Sequence, residues 1–170
     1  MEKTIALLAV AVTALCVGNL LHIIGLSTPN WCVVDDGEHY GSYGLWEVCG
    51  DGKCFEFVHN KDYPDWIKAC EAMSILGMLS GLASLVPAII ALVMAAMKKL
   101  SLPILGKISI ATAFASFCMI LICVIIFAAE KNKKIGTDCD YGYSFGLSIT
   151  GALLILPGGI LPIFTTRTVY

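Results

Sequence analysis

Charge is scarce in this 170-residue chain. Asp, Glu, Lys and Arg together make up 14% of it, where a soluble domain carries about 25%. The formal net charge is only −2, and no run of Lys or Arg is long enough to track phosphates, which excludes a nucleic-acid reader. Catalytic motifs are missing too: no H-E-x-x-H helix, no nucleophile elbow, no phosphate loop. A membrane thiol–disulfide exchange enzyme needs a C-x-x-C pair, and the loop pair here is Cys49-x4-Cys54. The chain is therefore read as a non-enzyme, with no catalytic residue, cofactor or metal site. His39, His59 and the nearby carboxylates have a spacing that fits no standard metal site. No N-x-S/T sequon occurs, so N-glycosylation is not expected.

What the chain has instead is apolar sequence, 58% of its residues, with a mean hydropathy of +0.82. A hydrocarbon core of about 30 Å takes about 20 helical residues. Four windows qualify: Thr4–Leu26, Ala72–Met97, Ile108–Phe127 and Ser144–Phe164. The first window is longer than the apolar part of a signal peptide and no small-x-small cleavage site follows it, so it too is read as a span. One four-span membrane domain over residues 1–170 follows, with outer loops at about 27–71 and 128–143. Pro103 sits in the short connection between spans two and three.

An even number of spans puts both termini on one side. Lys/Arg counts, five on the terminal side against six on the other, do not orient the chain. Cysteine does. Cys32, Cys49, Cys54, Cys70 and Cys139 lie in or beside the two loops, and none lies in the termini or the short connection. Cross-links persist where the medium is oxidising, so the loops are expected outside and both termini in the cytosol. Cys16, Cys118 and Cys123 fall within spans, where apolar packing is their expected role.

The first outer loop reads as β-structure. Trp31–Val34 is one strand, Tyr40–Cys49 a second and Cys54–His59 a third. Asp51-Gly52 is a strong two-residue hairpin signal and sets Cys49 opposite Cys54. After the hairpin, Asp62 can cap a helix, Pro64 suits its first turn and Trp66 suits the interface. Gly77-x-x-x-Gly81 and Gly142-x-x-x-Gly146 are spacings that permit close helix approach.

Trp31, Gly44-Leu45-Trp46, Cys49 and Cys54 resemble the W…G-L-W…C…C signature of the claudin, peripheral myelin protein, epithelial membrane protein and lens fibre membrane intrinsic protein superfamily. The resemblance covers essentially the whole chain. It implies a membrane all-α four-helix transmembrane bundle carrying a small extracellular antiparallel β-sheet. Trp31, Gly44, Leu45 and Trp46 would anchor that sheet on the membrane surface. In the related fold the second outer loop adds a strand beside the first, which favours Cys32–Cys139 as a second disulfide after Cys49–Cys54. Cys70 would then stay at the membrane boundary, and a Cys32–Cys70 bond is the alternative. The family often has an arginine where the first loop enters the second span, and Glu71 stands there instead.

Residues 27–70 hold eight Asp/Glu against three Lys, a balance of −5. Asp35, Asp36 and Glu38 are the expected ion-path or partner surface, since one-signed clefts attract counter-ions. The resemblance implies a structural and adhesive protein of cell–cell contacts in the plasma membrane, forming a paracellular barrier or a cation-preferring path. Its partners would be the lipid bilayer and like or related four-span proteins in the same and facing membranes. The alternative is an auxiliary subunit of an ion channel.

Overall fold

The computed structural model describes residues 2–35, 40–57, 64–98, 103–134 and 139–167. Four helices, α1 (Glu2–Ser27), α2 (Asp65–Ala96), α3 (Pro103–Lys134) and α4 (Tyr143–Arg167), form a bundle. Between α1 and α2 lie β1 (Cys32–Asp35), β2 (Tyr40–Tyr43), β3 (Glu47–Gly50) and β4 (Lys53–Glu56), and β5 (Asp140–Tyr141) precedes α4. The strands form one sheet in the order β4-β3-β2-β1-β5, every pairing antiparallel. The protein is thus a four-helix membrane bundle bearing a small sheet.

All four helices are long and apolar enough to cross a bilayer. Their outward faces are apolar, and the interior mixes large apolar side chains such as Leu8, Leu15, Ile120 and Ile155 with small and polar residues. Leu20, Val86, Phe114, Ile125 and Leu153 are exposed, as suits lipid contact. The buried residues of α2 are Ile67 and Glu71 near its start and, along the rest, Cys70, Ser74, Gly77, Gly81, Ser84, Pro87, Ala88 and Ala91, mostly small. Lipid tails are as apolar as leucine, so helices gain little by burying leucine and associate through small residues that let backbones meet. A Cβ on Gly18 of α1 would lie 2.8 Å from the Gly151 oxygen of α4, and one on Gly151 would lie 2.6 Å from the Gly18 oxygen. Gly77 meets Ile120 and Ser116 of α3, while Gly81 meets Asn19 of α1. Serine hydroxyls return their bonds to carbonyls, as Ser116 Oγ does to Gly77 O at 2.7 Å.

Several sequence expectations change. Gly142 precedes α4 and packs on the Asn30 backbone, and Gly146 has nothing within reach of a Cβ, so this spacing is not a helix-packing pair. Gly151, Gly158 and Gly159 do that work on α4. The Tyr40–Cys49 stretch is two strands, because Gly44 breaks it at a turn where its N–H donates to Glu47 O at 2.8 Å. The helices α2 and α3, of 32 residues each, reach roughly 48 Å at 1.5 Å per residue, well past the hydrocarbon core. Helix hydrogen bonding continues through Lys68, Glu71 and Lys131, where an apolar window stops. Cys70 therefore lies on the inner face of α2 and not in a loop. Pro64 occupies the N-cap position with extended backbone, its carbonyl accepting from Ile67 and Lys68 N–H; Asp62 lies outside the described residues.

Gly151→Ala is expected to lower stability by about 1–3 kcal/mol, the usual cost of overpacking. Gly146→Ala should be neutral or stabilising by up to ~1 kcal/mol through helix propensity. Thermal unfolding of both variants in one detergent checks the contrast.

Candidate functional site

The candidate site is the outer sheet and its seat on the helix ends. A helix leaves its last carbonyls without intrahelical donors, and they carry the negative end of the helix dipole. In α1 four successive carbonyls, Ile23 to Leu26, accept from side chains. Ser27 Oγ donates to Ile23 O and Thr28 Oγ1 to Ile24 O, both at 2.7 Å. The Trp31 indole N–H donates to Gly25 O at 2.7 Å, and the Trp46 indole N–H to Leu26 O at 2.8 Å. The two tryptophans are caps reaching back from the sheet.

The start of α4 is tied to the same segment. Ser144 N–H donates to Asn30 O at 3.0 Å, and Gly142 N–H to Trp31 O at 3.1 Å. Asn30 N–H donates to Ser144 Oγ at 3.2 Å, and that hydroxyl lies 2.6 Å from Thr28 Oγ1. Trp31 N–H then donates to Tyr43 O at 3.0 Å, which leads into β2.

Below the sheet sits an aromatic layer. Trp31, fully buried, has its ring centroid 5.1 Å from Phe127 and 5.8 Å from Phe145. Trp66 lies 5.9 Å from Phe127, and Tyr141 stacks on Phe145 at 4.5 Å. Leu45 is also fully buried. A Cβ on Gly44 would sit 2.6 Å from Pro29 Cα, so any larger residue pushes the β2–β3 turn off the end of α1. Trp31, Gly44, Leu45 and Trp46 thus converge on one place.

The tip of the sheet is different. Asp51 (φ 50°) and Gly52 (φ 74°) both have left-handed backbone, as a two-residue hairpin turn demands. All four residues of β4 are exposed, and Phe55 keeps 67% of its surface. Glu47 and Glu56 are direct cross-strand partners, a like-charge pairing that costs stability. They line a cleft of about 460 Å³ with Ser27, Trp46 and Phe57.

Cys49 and Cys54 face each other in register at disulfide distance, Cα atoms 4.0 Å apart. Cys32 and Cys139, from the two outer loops, are likewise at disulfide distance, Cα atoms 5.7 Å apart. Glu47 lies close to Cys49 and Cys54, but sulfurs paired with each other are not metal ligands. Cys70 stands apart from both pairs. Asp35 ends β1 exposed; Asp36, Glu38, His39 and His59 lie outside the described residues.

Lys131 was not legible as a site residue. It is only 5% exposed, its ammonium 3.6 Å from the centroid of the Tyr141 ring and donating to the Cys139 carbonyl at 2.5 Å. That cation–π contact and hydrogen bond fix the second outer loop against α3. The one signal in the sequence was its place just past the apolar part of the third span, where a long stem can lie along the bundle.

A family model described as the PMP-22/EMP/MP20/Claudin family matches residues 3–162. No curated protein matches the chain significantly.

Trp31→Phe keeps a buried ring but strands the Gly25 carbonyl, with an expected cost of about 1–3 kcal/mol. Trp31→Ala should cost more, ~3–5 kcal/mol, read by thermal unfolding and by protease susceptibility of the sheet. Peptide mapping without reduction is expected to recover Cys49–Cys54 and Cys32–Cys139. Cys49 and Cys54 recovered as free thiols in folded protein would contradict the first pairing, and a Cys32–Cys70 link would contradict the second.

Proposed function

Since the chain belongs to the PMP-22/EMP/MP20/Claudin family, we propose that it is a structural and adhesive protein of cell–cell contacts. Its loops face outward and both termini face the cytosol. Four helices hold the protein in the plasma membrane, and the outer sheet is the surface it offers to like or related four-span proteins. The observation that carries this reading is the seat itself. Two indole caps, an aromatic layer and two cysteine pairs at disulfide distance all act to fix the sheet's orientation on the bundle. A fixed surface repeated over many copies accumulates weak contacts through multivalency.

The acid balance of −5 over residues 27–70 supports a second layer of the reading. Where the sheet lines a path between cells, its field favours cations. Asp35 stands exposed at the end of β1, and Asp36 and Glu38 follow it in sequence.

Expressed in non-adherent cells, the protein should concentrate where two expressing cells meet. Diffuse surface label together with co-purification of one ion channel would overturn adhesion and favour an auxiliary channel subunit. An impermeant label reaching a tag after Tyr170 on intact cells would overturn the orientation. For the path, Asp35→Asn, Asp36→Asn and Glu38→Gln together should lower cation preference in dilution-potential measurements. The drop should be larger at low salt, since exposed charges are screened within about 10 Å at 0.1 M. Unchanged potentials would remove the path and leave adhesion standing.

A further inference from the structure

Side chains along a strand alternate between faces, so Glu47 of β3 and its cross-strand partner Glu56 of β4 share one face with Cys49 and Cys54. Lys53 and Phe55 take the other face. A Glu47 carboxylate oxygen lies within 4.8 Å of both sulfurs, as that placement requires. Among the described residues, no ammonium or guanidinium pairs with either carboxylate. The cleft of about 460 Å³ that the two acids line is lined also by Trp46, Phe57 and Ser27. Both aromatic residues are held in place. The Trp46 indole N–H donates to Leu26 O at 2.8 Å, and Phe57 N–H donates to Trp46 O at 2.9 Å. Ser27 is the last residue of α1, so the cleft lies at the level where that helix ends.

Carboxylates beside aromatic rings suit a large, weakly hydrated cation. Calcium takes about six to eight oxygen ligands, more than these side chains offer, whereas a quaternary ammonium has no N–H to satisfy and is attracted to ring faces. The place of the cleft names the source. Anionic lipids concentrate on the cytoplasmic leaflet, so with the sheet outward, as proposed above, the headgroups beside it are zwitterionic and carry a cationic end. We propose that this cleft binds the choline headgroup of an outer-leaflet phospholipid, its trimethylammonium group held by Trp46, Phe57, Glu47 and Glu56. The ammonium is the end of that headgroup furthest from the glycerol, so the phosphate stays on the membrane side, away from the acids. The cleft volume falls within the range of about 300–1,000 Å³ that small-ligand sites occupy. The bound charge offsets the repulsion that Glu47 and Glu56 otherwise impose on the β3–β4 pairing, and it ties the edge strand β4 to the bilayer.

The test uses the full chain in maltoside micelles, titrated with dimyristoyl phosphatidylcholine or with phosphatidylglycerol of the same chains, and read by native mass spectrometry. Phosphatidylcholine should be retained. Glu47→Gln together with Glu56→Gln should weaken it roughly tenfold and leave phosphatidylglycerol unchanged. These substitutions remove a like-charge pair, so folding is expected to survive them. Phe57→Leu, which keeps both charges, should also weaken phosphatidylcholine. Equal retention of phosphatidylcholine by the parent and the double variant would overturn the proposal, as would a parallel fall for phosphatidylglycerol. Phosphatidylethanolamine binding as tightly as phosphatidylcholine would overturn it too, since the rings would then read no methyl groups. If the double variant keeps the lipid but loses a lysine-rich peptide that the parent binds, the cleft belongs to a basic protein surface instead. The assay contains no facing membrane, so its result is independent of adhesion.

Discussion

Residues 28–31 cap two helices at once, and the outer half of the protein depends on that arrangement. The last carbonyls of α1 and the first N–H groups of α4 come together where the bilayer gives way to water. An unpaired backbone group there costs about as much as a lost hydrogen bond. Thr28 and Trp31 donate to α1, and Asn30 accepts from Ser144 of α4. Trp46, arriving from the β2–β3 turn, supplies a further donor to α1. The sheet is therefore part of the helix termination and not a separate module resting on it. This gives the W…G-L-W pattern a physical content: two indole N–H groups at a helix end, with a glycine that lets the second approach past Pro29.

The same constraint acts on the bundle below. With little gained by hiding leucine from lipid, cohesion comes from backbone approach and from polar groups that must find partners. Gly18 and Gly151 bring α1 and α4 into contact, which places Gly25 against Ser144 and Ser148 and sets the cap geometry above. His22 Nε2 bonds the Ser74 backbone oxygen at 3.1 Å, linking α1 to α2 across the bundle interior, while its buried Nδ1 has no hydrogen-bond partner among the described residues. Packing inside the membrane and capping at its surface are one continuous seam along α1.

Much of this was legible in the sequence. Four uncharged runs specify four helices because the bilayer leaves few other solutions, and Asp51-Gly52 specifies the hairpin because few residue pairs adopt two left-handed conformations. What was not legible depends on partners distant in the chain. Nothing near Gly142 or Gly146 says which glycine faces a neighbour; that is decided by the rotation of α4 against α1. A hydropathy window stops short of Lys68, Glu71 and Lys131 although the helix continues, so hydropathy alone leaves Cys70 and Lys131 in loops. Lys131 becomes a buried, paired cation only because Tyr141 and the Cys139 carbonyl, on the far side of a loop, come to meet it.

The structure also separates two kinds of surface within one small sheet. Strands β1, β2 and β5 are held by the seat, and a Cys32–Cys139 bond would close 107 residues, worth roughly 4–5 kcal/mol by loop-closure entropy. A Cys49–Cys54 bond closes only 5 residues, worth about 2 kcal/mol on the same scale. Its larger effect would be on register, holding β3 against β4 although Glu47 and Glu56 repel across that pair. The outer bond would thus maintain an arrangement that electrostatics alone disfavours, with Phe55 exposed beside an acidic flank. Substitutions near Trp31 decide whether there is an ordered sheet at all, whereas substitutions on β4 change what that sheet presents. On the proposed adhesive reading, recognition can then vary at the tip without disturbing the seat, because no hydrogen bond of the double cap originates there.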